Sequence, residues 1–170
     1  LLKYANYSLE YSKLMGKNRM TVLSTDILQR KERKLELNEL LRESIERGFI
    51  GFSISYQPQI DAATGEVYGA EALARWRCGK YGDVSPGEFI PLLEQSGMIV
   101  QLGKWIFAQS VFQCRKWCEK KKDFHISINV SYRQLLDDDV LDFIQMTIDE
   151  SGIDPSHVIM ELTETYLVQE

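Results

Sequence analysis

Glu71 and Arg75 stand four apart in the tract Glu71-Ala72-Leu73-Ala74-Arg75-Trp76, which alternates as a strand does. Side chains two apart on a strand share a face. Gly69, Glu71, Leu73 and Arg75 therefore fall together, and Ala70, Ala72, Ala74 and Trp76 fall on the other side. Two later strand-like segments carry comparable groups. Asn129 lies on the polar face of residues 124–131, with His125, Ser127 and Ser131. Glu161 lies in residues 157–163, with Ile159 and Thr163. Each segment thus places an oxygen-bearing side chain near its C-terminal end, where parallel α/β folds form ligand sites. Carboxylate and amide oxygens are the ligands that Mg2+ or Mn2+ prefers. Such an ion can polarise a phosphoryl oxygen and activate water. Arg75 can hold a phosphate or stack on a base, or it can simply pair with Glu71. A lone strand Glu or Asn is equally an ordinary surface or hydrogen-bonding residue. His125 and His157 have no second His at ligand spacing and are read as structural or exposed.

Positioning these groups requires a sheet with helical returns. Residues 1–15 read as a helix and 19–24 as a short strand. Thr25 or Asp26 can cap a long helix to about Arg47, with Leu28, Leu35 and Leu41/Ile45 as its apolar stripe. Phe52, Ile54 and Tyr56 alternate with polar residues in a first strand that carries Gln57 on its polar face. A turn over Asp61–Glu66 leads to the second strand, so the two form a hairpin. Ser85-Pro86-Gly87-Glu88 begins a helix, with Ser at the cap. Helices over 98–121 and 138–150 then separate strands two, three and four. That alternation predicts a parallel α/β arrangement.

The chain has 170 residues, 44% apolar and 26% charged, with a net charge of −5. That is the composition of a soluble globular protein. It offers no clustered basic surface for a nucleic-acid polymer. Cys78, Cys114 and Cys118 are odd in number and lack C-x-x-C spacing, which predicts reduced thiols in a cytoplasmic protein, the last two packed in a core. No apolar run reaches the ~18 residues of a membrane span. The chain opens at Leu1 inside a helix-like pattern and closes at Glu170 after a strand-like one, as a segment of a longer protein would.

Several ordered motifs resemble the EAL domains, phosphodiesterases of cyclic di-GMP. They are Tyr56-Gln57-Pro58-Gln59-Ile60, Thr64-Gly65, Gly69 to Trp76, Val84-Ser85-Pro86, Glu88-Phe89-Ile90-Pro91, Ile128-Asn129-Val130-Ser131 with Gln134-Leu135, and Glu161-Leu162-Thr163-Glu164. The match covers about residues 50–170. Residues 1–25, through Lys13-Leu14-Met15-Gly16-Lys17-Asn18-Arg19, resemble the last helix and strand of GGDEF domains, the diguanylate cyclase fold. The resemblance implies three segments: a GGDEF remnant over 1–25, a linker helix over 26–48, and the first half of an EAL domain over 49–170. The implied fold is α/β, the first half of a TIM-like (β/α)8 barrel with an antiparallel first strand.

The same resemblance implies a metal-dependent hydrolysis of cyclic di-GMP to linear pGpG. It makes Glu71, Asn129 and Glu161 metal ligands for Mg2+ or Mn2+. It makes Gln57, Leu73 and Arg75 contacts to the dinucleotide, and Glu164 a carboxylate behind the ligands. Glu71, Glu161 and Glu164 are the catalytic set. Further ligands in the family, a paired-Asp motif, a Lys and a Glu, fall after the position of Glu170, so the segment alone is expected to be inactive. The alternatives are a receptor that binds the nucleotide without cutting it, and an inert dimerising fragment. A homodimer is expected, as is a sensory or membrane region elsewhere in the longer protein. Many relatives carry Asp where Gly103 stands, so a guanine contact made by that Asp would be missing here.

Overall fold

The computed structural model describes Leu9, Lys13 and residues 25–163. The helix expected over 1–15, the strand over 19–24 and the position of Glu164 lie outside the described residues. The chain divides into two compact units, Leu1–Glu39 and Leu40–Glu170.

Helix α1 spans Thr25–Glu46. Its buried apolar residues are Leu37, Leu41 and Ile45, four apart, while Leu35 is 52% exposed. The stripe expected through Leu28 and Leu35 is therefore corrected. Leu35 precedes the buried Leu37 by two residues, and at 3.6 residues per turn that leaves them on nearly opposite sides of the helix.

The second unit runs β1 (Phe52–Ile60), β2 (Val67–Cys78), β3 (Gly82–Val84), α2 (Pro86–Ser96), α3 (Ile99–Cys118), β4 (His125–Ser131), α4 (Tyr132–Leu135), α5 (Val140–Ser151), a 3-10 turn (Pro155–His157) and β5 (Val158–Thr163). The sheet order is β1-β2-β4-β5, with β3 beside the end of β2. β1 and β2 form the expected antiparallel hairpin, pairing Gln57 with Glu71 and Ser55 with Leu73. Its turn closes because the Asp61 carboxylate accepts from the Ala63 and Thr64 N–H groups, both at 2.8 Å. β4 then lies parallel to β2, and β5 parallel to β4. Helical crossovers make this possible, since a parallel neighbour cannot be reached by a tight turn. The result is a mixed α/β sheet with helices.

The core forms where the sheet meets α3 and α5. Ala70 and Ala72 of β2 present almost no side chain, so α3 can pack closely on them. Phe107, Val111 and Cys114 meet Ile126 and Ile128 there, with Ile148 and Ile153 beside them. Ile126 and Ile128 are 0% and 1% exposed. Each contributes roughly 1.5–3 kcal/mol through burial. The cysteines are free thiols. Burial, together with the neighbouring Cys118, pushes the Cys114 thiol up to about 12.

Three details depart from expectation. β3 is a fifth strand, absent from the sequence reading because three residues show no alternation. Ser85 does occupy the position before α2, with Pro86 in the first turn, but its hydroxyl makes no capping bond. A full side-chain cap appears instead at α4, where Ser131 and Gln134 satisfy each other's backbone and side-chain groups.

Candidate functional site

Glu71 lies in β2 where that strand runs parallel to β4. Asn129 projects from β4 on the same face and is exposed. Its Nδ2 donates to Glu71 Oε1 at 2.6 Å, across 58 residues of sequence. Glu161 of β5 is the register partner of Asn129 and is also exposed. Neighbouring strands lie ~4.8 Å apart, so the three oxygen-bearing side chains occupy adjacent positions on one face. Gln57 pairs with Glu71 from β1. Leu73 and Arg75 continue the Glu71 face toward the end of β2, both half-buried.

Arg75 does not pair with Glu71. Its Nη1 donates to the Ala74 carbonyl at 3.0 Å, and no ion pair between Arg75 and Glu71 occurs among the described residues. Glu71 and Arg75 are thus left to act on different groups. The structure brings together Glu71 and Asn129 by direct contact, and Gln57 and Glu161 by register.

The donor chemistry suits a hard divalent ion. Two carboxylates and one amide oxygen are the kind of ligands Mg2+ or Mn2+ takes, and they are half of the six an octahedral ion needs. No cluster of three or more Asp, Glu, His or Cys groups at metal spacing occurs among the described residues. The amide orientation has a simple cause. An N–H facing a carboxylate is attractive, whereas a second oxygen there would repel it. A cation between them reverses that preference, and turning the amide by half a rotation brings Oδ1 to the same point.

A cavity of about 200 Å3 adjoins this face, lined by Leu73, Arg75, Glu94, Gly103, Asn129 and Gln134 among others. Sequence reasoning missed Glu94. It is 2% exposed in α2. Its Oε1 accepts from the Ser131 hydroxyl at 2.6 Å, and the Ser131 N–H donates to Gln134 Oε1 at 2.9 Å. A buried carboxylate is costly without such donors. The available signal was a single charged residue after the buried Leu92 and Leu93. A second, wider groove of about 520 Å3 is lined by Val100, Tyr132, Arg133, Leu136 and Asp137. It touches none of the residues picked from sequence, and its lining lacks convergent carboxylates, so size alone does not mark the site.

Gly103 sits in α3 directly beneath Gln134. A Cβ there would lie 1.8 Å from Gln134 Nε2. The space that an Asp at this position would need is therefore filled by the Gln134 amide.

Known proteins share this fold. The family model of the EAL domain matches residues 38–170. The bifunctional diguanylate cyclase/cyclic di-GMP phosphodiesterase MucR of Pseudomonas aeruginosa is 31% identical over 166 residues, covering 97% of this chain and 24% of that protein. The cyclic di-GMP phosphodiesterase PdeR of Escherichia coli is 31% identical over 169 residues, covering 99% of this chain and 25% of that protein. The chain thus spans about a quarter of the length of these relatives. A solved structure of the PaMucR phosphodiesterase in complex with c-di-GMP superposes with a TM-score of 0.71 at 33% identity, covering 79% of this chain and 54% of the other. A family match over more than half of the sequence, with the same fold in a solved relative, leads to one assignment: the chain belongs to the EAL domain family.

Proposed function

We propose that this chain supplies one side of a metal-dependent cyclic di-GMP phosphodiesterase site, in a protein that opens the ring to linear pGpG. The 2.6 Å contact between Asn129 and Glu71, with Glu161 in register beside Asn129, is the observation that carries this reading. Glu71, Asn129 and Glu161 would hold Mg2+ or Mn2+. When bound, such an ion supplies Lewis acidity to a phosphoryl oxygen and lowers the pKa of bound water.

The chain's own residues orient the substrate. Arg75, with no carboxylate partner among the described residues, is available to a phosphate through a planar guanidinium. Leu73 offers an apolar contact between Arg75 and the metal ligands. Gln57 can bond a ribose or phosphate oxygen from the opposite strand. Glu164 is read as a carboxylate that supports the ligands. Two carboxylates facing a phosphodiester would repel it without a cation, so the charge balance of this face itself calls for one.

The test is hydrolysis of cyclic di-GMP by the longer protein that contains this segment, with Mg2+ or Mn2+. Production of pGpG that disappears on chelation and in Glu71→Ala is expected. Metal-independent turnover, or unchanged turnover in Glu71→Ala, would overturn the assignment. The 170-residue chain by itself is expected to give no pGpG.

A further inference from the structure

Arg75 is followed by Trp76, whose ring points to the opposite side of β2 and is 1% exposed. The ring stacks on Phe52 at 5.8 Å and meets Phe89 edge-on at 6.0 Å. Its indole N–H donates to the hydroxyl of Ser44 at 3.2 Å. Ser44 belongs to the end of α1, an element with no part in the sheet. The same residue also uses its main chain: the Ser44 carbonyl accepts from the Ile50 N–H at 3.0 Å.

The segment between α1 and β1 is tied to β2 as well. The Arg77 N–H donates to the Gly51 carbonyl at 2.9 Å. Gly51 has φ 84°, and a Cβ there would lie 2.3 Å from the Arg77 carbonyl oxygen, so the two backbones touch. Phe49 holds φ 64°, a conformation that bulky residues rarely adopt. Its ring stacks on Trp105 of α3 at 5.2 Å. Residues 44–53 therefore grip β2 at Arg75 and the two positions after it: by Ser53 in register with Arg75, by Ser44 and Phe52 at Trp76, and by Gly51 at Arg77.

We infer that Ser44 is a positioning residue for Arg75, acting through the buried indole of Trp76. The hairpin sets the register of β2. The hydroxyl fixes the ring that sets the local pleat, and so the direction in which the Arg75 guanidinium leaves the strand. The importance of this for nucleotide binding rests on the role proposed above for Arg75, but the positioning itself does not.

NMR of the 15N-labelled 170-residue chain separates the two. In Ser44→Ala, the Trp76 indole N–H is expected to exchange with solvent roughly fivefold faster, the factor that one net hydrogen bond is worth. The Arg75 Nε–H and backbone amide resonances are expected to shift with it. Ser44→Thr keeps the hydroxyl and is expected to restore both. A merely structural role for Ser44 would lower the melting temperature while leaving the Arg75 resonances in place, and that result overturns the inference. So do equal shifts in the Ala and Thr variants. In the longer protein, Ser44→Ala is expected to raise KM for cyclic di-GMP with kcat nearly unchanged. Moved Arg75 resonances with an unaltered KM would leave the positioning intact and sink the nucleotide role of Arg75 instead.

Discussion

Asn129 donates to Glu71 across 2.6 Å, although 58 residues separate them and they sit on different strands. The parallel pairing of β2 with β4, built on Glu71 opposite Ser127, is what brings them together. An amide that binds a carboxylate in one orientation and a cation in the other can keep the site assembled in both states. Asn129→Asp in the longer protein removes the donor and places two carboxylates face to face. Metal-dependent hydrolysis is expected to fall by at least tenfold, because the added negative charge weakens the ion as a Lewis acid, while a lower metal concentration is needed for half-maximal rate, because a third carboxylate holds a cation more tightly. Titrating Mg2+ and Mn2+ against turnover checks this. An unchanged metal requirement would argue that Asn129 does not face the ion.

Gly103→Ala tests the seat of Gln134. The added methyl would lie 1.8 Å from Gln134 Nε2, in a buried part of α3. In an open helix Ala is favoured over Gly by about 1 kcal/mol. Here the displaced amide also caps α4 at Ser131, so the sign is expected to reverse. A net loss of about 1–3 kcal/mol is the ordinary cost of overpacking. Urea denaturation of the 170-residue chain measures it, and a stabilised variant would mean that Gln134 can leave its seat freely.

Much of this was legible in the sequence, and the reasons for the rest are physical. Alternation identified Glu71, Leu73 and Arg75 as one face, because a strand has a period of two and nothing interrupts it there. The hairpin and the parallel strands followed from one turn and two helices. The bond from Ser131 to Glu94 was not legible, because it joins residues 37 apart that share no period. Nor was the closeness of His125 and His157, whose ring centroids lie 5.5 Å apart only because β4 and β5 pair in one register. The helix stripe fails at Leu35 because the helical period turns it away from the buried Leu37, Leu41 and Ile45.

Cys114 gives a pH dependence. Its folded thiol keeps its proton up to about 12, chiefly because it is buried and secondly because Cys118 is near, whereas its ordinary value is 9.0. Between those values the unfolded chain releases a proton that the folded chain holds. The stabilising effect is complete below pH 9.0 and is lost as pH rises toward about 12. The slope is at most about 1.4 kcal/mol per pH unit for one group. Lysines and tyrosines titrate in the same range, so the comparison is with Cys114→Ala. The stability gap between the two chains is expected to narrow from pH 8 to pH 10.5 in urea titrations. A constant gap would mean that packing alone, and not the protonated thiol, separates them.

Ser131 and Glu94 should behave as one unit. The carboxylate is 2% exposed and receives the Ser131 hydroxyl at 2.6 Å. Ser131→Ala leaves that carboxylate without this donor and is expected to cost roughly 1.5–3 kcal/mol, the range for a hydrogen bond to a charged group. Glu94→Gln lowers the need for a donor, since a neutral amide is cheaper to bury than a carboxylate. Adding Ser131→Ala to it should therefore cost less than the same change in the parent chain. A double-mutant cycle in urea measures the difference, and a coupling above about 0.5 kcal/mol exceeds what independent sites show. Strict additivity would mean that solvent already satisfies Glu94, and that the cavity beside Arg75 is wetter than its apolar walls suggest.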